Sequence, residues 1–247
     1  MTAVLIVLIV ICAVLALFYA VGMKFVRVLI LRQDNFPTPE TGASSSSLLE
    51  PTGKALWAHN IPYFGPFREL PFDEISIVSD DGLTLRADML RGSGTGKTVI
   101  FFHGYKSEPA CDFAAMYDFY KTLGCDLIYV HMRAHGKSDG TYIGFGALDR
   151  YDVVQWTNKA AELFPDNDIY LHGMSMGAAS VLQSMDLSLT KTCAALSPTA
   201  AIPILTRCSA ILSASSITCR RCSLTFLNTL ISSRPATASG RQARCAA

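Results

Sequence analysis

The fold of this chain is decided by the stretch Asp168-Ile169-Tyr170-Leu171-His172-Gly173-Met174-Ser175-Met176-Gly177-Ala178-Ala179-Ser180-Val181-Leu182. A short apolar run leads into Gly-x-Ser-x-Gly, and small residues with helical spacing follow. This pattern predicts a strand, a sharp turn and a helix, with Ser175 in strained backbone geometry and its hydroxyl clear of the sheet. Gly173 and Gly177 are needed because a Cβ at either position would crowd the strand against the helix. Five-residue patterns arise often by chance, but the flanking strand and helix favour Ser175 as a nucleophile.

Upstream of this turn, strand and helix patterns alternate with short links. We expect a β-hairpin around Asp80-Asp81-Gly82, a strand at Thr98–Phe102, a helix at Asp112–Leu123, a strand at Asp126–His131 and a helix at Ala147–Phe164. Such alternation specifies an α/β fold whose parallel strands are joined by right-handed crossovers. The continuous apolar run Thr98–Phe102 is typical of a strand buried on both faces.

The strand Thr98–Phe102 ends in His103-Gly104-Tyr105. An apolar strand that closes in His-Gly upstream of a serine turn is where half of an oxyanion hole is expected. We therefore predict that the backbone N–H groups of Tyr105 and Met176 stabilise an oxyanion formed at Ser175.

The N-terminal segment Thr2–Met23 contains no charged residue and is long enough to cross a hydrocarbon core of about 30 Å. It lacks the basic start of a cleavable signal peptide, so we predict a single-pass anchor. Lys24, Arg27 and Arg32 follow it, which places the soluble domain on the cytoplasmic side by the positive-inside rule. Residues 24–70 read as a linker rich in proline and serine, with a short helical patch near Leu48–Asn60.

Charge and metal ligands exclude some functions. Residues 1–186 carry 14 basic and 20 acidic side chains, and residues 187–247 carry 7 basic side chains and no acid, so nothing global predicts nucleic-acid binding. Cys219 and Cys222 have C-x-x-C spacing but no second pair. Histidines at strand ends (His103, His131, His135 and His172) are expected to hydrogen-bond loop backbone, and neither a metal nor another cofactor is predicted.

Between about Phe72 and Ser197 the chain resembles the α/β-hydrolase superfamily, and within it the bacterial serine-aminopeptidase-like (S33-type) hydrolases that carry an N-terminal membrane anchor. The resemblance is carried by His103-Gly104-Tyr105, Arg133-Ala134-His135-Gly136-Lys137-Ser138-Asp139-Gly140, Leu148-Asp149-Arg150-Tyr151-Asp152 and Gly173-Met174-Ser175-Met176-Gly177. It implies a mostly parallel sheet flanked by helices in residues 71–197, and hydrolysis of an ester or amide bond in a small-molecule or peptide substrate. The superfamily hosts many chemistries, so the resemblance does not select the substrate.

The chain departs from the family pattern after the serine. That pattern places an acid and then a histidine on later loops, whereas only Asp186 and no histidine follow Ser175 here. Asp186 comes too early for the acid loop, and residues 198–247 change in composition. Either the tail belongs to a divergent, inactive relative, or a frame shift near Ser197 replaced the native sequence. The function expected is that of an impaired serine hydrolase; the alternatives are a non-catalytic membrane-tethered binding protein and a truncated product that does not fold stably.

Overall fold

A computed structural model describes residues 2–32 and 51–187 of the chain. The helices are α1 (Thr2–Leu29), α2 (Pro51–Arg68), α3 (Pro109–Phe113), α4 (Tyr117–Thr122), α5 (Asp149–Leu163) and α6 (Met176–Ser184), with a 3-10 turn at Ala114–Met116. The strands are β1 (Asp73–Val78), β2 (Thr84–Leu90), β3 (Lys97–Phe102), β4 (Asp126–Val130) and β5 (Asp168–Gly173). The apolar run Cys193–Leu196, which the sequence also predicts to be a strand, lies outside the described residues, as do the pair Cys219 and Cys222 and the tail 198–247.

The strands form one sheet in the order β1-β2-β4-β3-β5. β3 pairs in parallel with both β4 and β5, while β2 pairs antiparallel with β1 and β4. The predicted fold class is confirmed, with the difference that the described sheet is mixed. Because β3, β4 and β5 are parallel, the loops that follow them meet at one edge, which we call the carboxyl edge.

Helices cover both faces of the sheet, and β3 shows why. Its residues are buried on alternate sides: Ile100 and Phe102 pack in a core with Trp156 of α5, and Phe101 packs in a second core with Phe113 of α3. Each fully buried side chain of this size contributes roughly 1.5–3 kcal/mol relative to exposure. The prediction of a strand buried on both faces is confirmed.

Two predictions differ from the structure. The helix expected at Asp112–Leu123 is broken into α3, the 3-10 turn and α4. The segment 24–70 is not only a linker, because α1 continues to Leu29 and α2 fills Pro51–Arg68. Phe64 and Phe67 of α2 are 2% and 5% exposed and pack in the core that contains Phe101. This burial outweighs the low helix propensity that Pro62 and Pro66 give the segment.

Helix α1 makes a different contribution, because none of its residues is buried. Its 28 residues have a mean hydropathy of 3.3, so it is long and apolar enough to cross a membrane. A signal sequence near the N-terminus has the same properties.

Gly177 of α6 provides a test of the packing. A Cβ there would lie 2.0 Å from the carbonyl oxygen of Phe102, and the opposing atom is backbone that cannot rotate away. We expect Gly177→Ala to destabilise the chain by about 1–3 kcal/mol or more, because overpacking displaces helix from sheet. The free energy of unfolding, measured by urea denaturation in detergent, checks this.

Gly65→Ala is the matched control. A Cβ at Gly65 meets nothing within 4 Å and the residue lies inside α2, so this change is expected to be neutral or stabilising by up to about 1 kcal/mol. Equal unfolding free energies for the two variants would contradict the close contact at Gly177.

Candidate active site

The turn between β5 and α6 has the strained geometry that the sequence predicts. Ser175 has φ 49° and ψ −108°, a conformation that costs a non-glycine residue about 1–3 kcal/mol. The turn is held closed by two close approaches: a Cβ on Gly173 would lie 2.4 Å from the backbone of Ala178, and one on Gly177 would meet Phe102. Both approaches are shorter than a real Cβ contact, which agrees with the close approach that the sequence predicts at these glycines. Ser175 itself is only half-buried, and no described side chain hydrogen-bonds to its hydroxyl.

The loop that follows β3, residues 103–107, lies beside this serine. A Cβ built on Gly104 would be 3.5 Å from the Ser175 Cβ. The Gly104 N–H donates to Asp112 Oδ2 at 2.6 Å, and the Lys106 N–H donates to His135 Nε2 at 3.1 Å. The intervening N–H, that of Tyr105, donates to no acceptor within the described residues.

The Met176 N–H is in the same condition. Met176 is the first residue of α6, so its N–H has no acceptor within the helix. It also donates to no acceptor elsewhere in the described residues. One unused N–H group therefore follows Ser175 in the chain, and the other belongs to the loop whose Gly104 lies beside the serine. They are the two groups that the sequence predicts for the oxyanion hole.

His103 and His135 support the loop, as the sequence predicts for histidines at strand ends. His103 Nδ1 donates to the Gly104 carbonyl at 2.8 Å, and its Nε2 accepts the Met132 N–H at 3.1 Å. His135 Nδ1 donates to the Arg133 carbonyl at 2.8 Å. Burial lowers the pKa of His103 well below its usual value and lowers that of His135 to about 4. Both rings are neutral at pH 7, and the ring nitrogens of His103 are both engaged by backbone.

Asp112 is a site residue that sequence reasoning missed. Its Oδ2 accepts the Gly104 N–H, and its Oδ1 accepts the Ser107 hydroxyl at 2.8 Å, so one carboxylate holds both ends of the loop. Burial raises the pKa of this carboxyl, while the bonds from Gly104 and Ser107 lower it. In the sequence Asp112 reads as an ordinary first-turn acid of a helix, and no local signal identifies its partners.

The other two strand-end histidines bond to side chains. His131 Nε2 lies 3.0 Å from Asp88 Oδ2, and His172 Nδ1 lies 2.8 Å from the Tyr120 hydroxyl. Burial lowers the pKa of His172 to about 4. The prediction that strand-end histidines bond loop backbone is therefore wrong for these two. In the part of the chain that the structure describes, no group of histidine, cysteine and acidic side chains could hold a metal ion.

The loop after β4 is fixed by a buried ion pair. The Arg133 guanidinium donates to both carboxylate oxygens of Asp152, each at 2.7 Å, and also to Asp81 at 2.9 Å. The hydrogen bond from Arg133 lowers the pKa of Asp81 to about 2. Asp149, in the first turn of α5, accepts the Gly146 N–H at 2.8 Å, and burial raises its pKa to about 6. These residues of the quoted motifs position loops at the carboxyl edge.

The structure does not bring a base or acid to Ser175 from the described residues. Asp186 is exposed beyond the end of α6, in keeping with its position in the sequence. The arrangement among residues 2–32 and 51–187 thus consists of a strained serine and two unused backbone donors.

Comparisons with known proteins give partial similarities. No family model matches the chain. An 86-residue stretch, 34% of this chain, is 33% identical to the multifunctional-autoprocessing repeats-in-toxin protein of Vibrio cholerae and covers 2% of that protein.

Solved structures are similar over larger shares. The esterase Pf2001 of Pyrococcus furiosus is 25% identical, with a TM-score of 0.48 over 54% of this chain and 53% of that one. The α/β hydrolase GrgF of Penicillium is 20% identical, with a TM-score of 0.46 over 52% of this chain and 46% of that one. A lidless α/β serine hydrolase of Xanthomonas campestris is 17% identical, with a TM-score of 0.39 over 47% of this chain and 56% of that one. The chain spans about half the length of these structures.

Asp112 generates a test of how the loop is held. Removing its carboxylate in Asp112→Ala leaves the Gly104 N–H without an acceptor, a loss worth about 1–3 kcal/mol. We expect amide hydrogen exchange in residues 103–107 to accelerate by about 10–100-fold. Asp112→Asn keeps one carbonyl acceptor and should restore most of the protection.

Asp118→Ala is the control, because Asp118 is an exposed acid in the first turn of α4. It should leave exchange at residues 103–107 unchanged. Unchanged protection of this segment in Asp112→Ala would show that the carboxylate does not hold the loop.

Proposed function

We propose that this chain is a serine hydrolase that acts on an ester or amide bond, with Ser175 as nucleophile and the Tyr105 and Met176 N–H groups as the oxyanion hole. The observation that carries the proposal is that, of three consecutive backbone N–H groups in the loop after β3, only the middle one has no hydrogen-bond acceptor in the described residues. The N–H groups on both sides of Tyr105 are bonded to Asp112 and His135, and that of Tyr105 is left over next to the strained serine. Pre-oriented donors of this kind stabilise developing negative charge without reorganisation.

The reaction follows from this geometry. The Ser175 oxygen would add to the substrate carbonyl carbon, and the carbonyl electron pair would move to the oxygen facing the two N–H groups. Collapse would break the bond to the leaving group and form an acyl-serine, which water then hydrolyses. The hydroxyl proton must leave Ser175 during the attack and reach the leaving group. A side chain that performs this transfer has to lie within about 2.6–3.2 Å of the hydroxyl.

We further propose that this transfer is impaired in the 247-residue chain. No histidine follows Ser175 in the 247 residues, and both ring nitrogens of His103, at the end of the neighbouring strand β3, are hydrogen-bonded to backbone groups. An enzyme without its base keeps only the rate enhancement from binding and the oxyanion hole, about 10³–10⁴-fold over water. Of the two accounts of the tail, we propose the frame shift near Ser197, because the composition changes abruptly in residues 198–247.

The N-terminal helix is proposed as a single-pass membrane anchor, with the soluble domain on the cytoplasmic side. Two features support retention of the helix. Its residues from Val4 to Phe18 are largely apolar and exposed, and its last turn hydrogen-bonds to the domain through the carbonyl of Leu29. The basic residues Lys24, Arg27 and Arg32 follow the apolar span and support the orientation.

A fluorophosphonate probe tests the nucleophile. We expect slow, faint labelling of the full chain, because the proposed oxyanion donors stabilise the adduct but no described base removes the hydroxyl proton. The labelling should be lost in Ser175→Ala. Labelling is measured by intact mass and by the modified peptide after extended incubation.

Ser180→Ala is the matched control, since Ser180 lies in α6 and its hydroxyl bonds only the Met176 carbonyl in the described residues. Strong labelling at Ser175 would contradict the missing base. Complete absence of labelling would favour the alternative, a non-catalytic membrane-tethered binding protein.

The anchor is tested by placing charges in the apolar span. Ile9→Lys combined with Leu15→Lys should release the chain from membranes, because each central lysine costs roughly 2.5–3.5 kcal/mol. These residues are 59% and 62% exposed, so the domain loses no contact. The measurement is the fraction that remains in the pellet after an alkaline wash.

Ile9→Ala combined with Leu15→Ala controls for the substitutions and should stay in the pellet. An intact mass that lacks residues 2–23 would identify the segment as a cleaved signal sequence and overturn the anchor.

A further inference from the structure

The end of α1 is attached to the loops of the candidate site. The Tyr105 hydroxyl donates to the Leu29 carbonyl at 2.8 Å, and the Lys106 ammonium donates to the Val28 carbonyl. Tyr105 therefore bonds α1 through its side chain while its backbone N–H is the proposed oxyanion donor. These contacts are hydrogen bonds at the surface, because no residue of α1 is buried.

The residues after α1 continue this attachment. The Arg32 N–H donates to the Thr141 carbonyl and the Ile143 N–H donates to the Ile30 carbonyl, each at 2.8 Å. The Arg32 guanidinium also donates to the Gly136 carbonyl at 2.8 Å. These partners belong to the segment that follows β4, so α1 joins the domain at the carboxyl edge, the edge that carries Ser175.

The length of α1 places this edge relative to a bilayer. Its 28 residues span about 42 Å at 1.5 Å per residue, close to the 40–45 Å of a bilayer with its headgroups. The last turn, where Tyr105 and Lys106 bind, would then lie at the surface of the headgroup layer. The chain has no spacer at this point, because residues 30–32 already pair with the domain.

The side chains around this attachment fit a lipid interface. Three apolar or aromatic side chains near this attachment are exposed: Tyr142 by 58%, Leu148 by 46% and Tyr151 by 38%. They lie in the stretch that runs from the residues paired with 30–32 to the first turn of α5. Lys106 and Arg150 add positive charge nearby. Exposed aromatic and basic residues are enriched where proteins meet lipid headgroups.

We propose that the carboxyl edge of the sheet faces the bilayer surface and that the substrate is an amphiphile held in the membrane, with its ester or amide carbonyl at headgroup depth. This inference rests on the proposed function, and it adds the class of substrate that Ser175 would attack. A carbonyl at that depth would reach Ser175 without leaving the lipid, and its apolar chain would stay in the bilayer.

The surface is tested without any reaction at the serine. The full chain is placed in phosphatidylcholine vesicles with a photoactivatable phenylalanine in place of Tyr142, or in place of Phe119 as control. Phe119 is an aromatic residue of α4 with 52% exposure, in the connection that runs from β3 toward the amino end of β4. We expect at least about tenfold more lipid adduct at position 142, since contact photochemistry follows proximity to the headgroups.

Equal adducts at the two positions, or more at 119, would overturn the proposed orientation. A chain that washes off the vesicles would overturn both the orientation and the anchor. Neither result depends on Ser175, so the nucleophile is judged separately.

The substrate class is tested with two phosphonates that share one reactive group, one on an octadecyl chain in the vesicles and one on an ethyl chain in water. At equal total amounts we expect about tenfold or more faster Ser175 labelling by the octadecyl compound, because each buried CH₂ favours the membrane by about 0.8 kcal/mol. In detergent without vesicles this preference for the octadecyl compound should fall.

Equal labelling rates in vesicles would overturn the proposal that the substrate is a membrane-held amphiphile. No labelling by either compound would count against the proposed nucleophile, while the adducts at 142 and 119 would still decide the surface.

Discussion

The arrangement of the site depends on the carbonyl of Phe102 at the end of β3. This oxygen accepts the Met174 N–H at 2.9 Å, and Gly177 of α6 lies so close that a Cβ would reach it at 2.0 Å. The strand and the helix are therefore in contact on both sides of the serine turn. Because the backbone cannot relax there, Ser175 keeps a positive φ that an unconstrained serine would leave, and the strain is balanced by the packing of α6 on the sheet.

The histidines near the site maintain structure instead of carrying protons. Burial holds the pKa of His135 near 4 and that of His103 well below the usual value, so neither ring charges in the neutral pH range. A neutral imidazole has one donor and one acceptor, and His103 uses its donor for Gly104 and its acceptor for Met132. It joins the loops after β3 and β4. A histidine bound in this way cannot also accept the serine proton, and any base for Ser175 has to come from elsewhere.

The loop after β3 links the proposed oxyanion hole to the end of helix α1. Asp112 and His135 bond the amides on either side of Tyr105, and the Tyr105 hydroxyl bonds the end of α1. A shift of α1 relative to the domain would therefore act on the residue whose N–H is proposed to meet the oxyanion. In a serine hydrolase anchored through α1, the bilayer and the oxyanion hole would be coupled through one side chain.

Local patterns in the sequence determined the elements, because a strand, a sharp turn and a helix each have a short-range signature. The alternation around Asp80-Asp81-Gly82, the apolar run Thr98–Phe102 and the Gly-x-Ser-x-Gly turn predicted the hairpin, β3 and the strained serine. The hydrogen-bond partners of the polar groups were decided only by the tertiary structure. Asp112 accepts a hydrogen bond from Gly104. Arg133 donates to Asp81, 52 residues away in the sequence, and Tyr105 donates to Leu29, 76 residues away. The packing of Phe64 and Phe67 likewise turned a proline-rich segment into a helix. Such contacts depend on how the elements are placed around the sheet, and that placement has no signature in any single stretch of the chain.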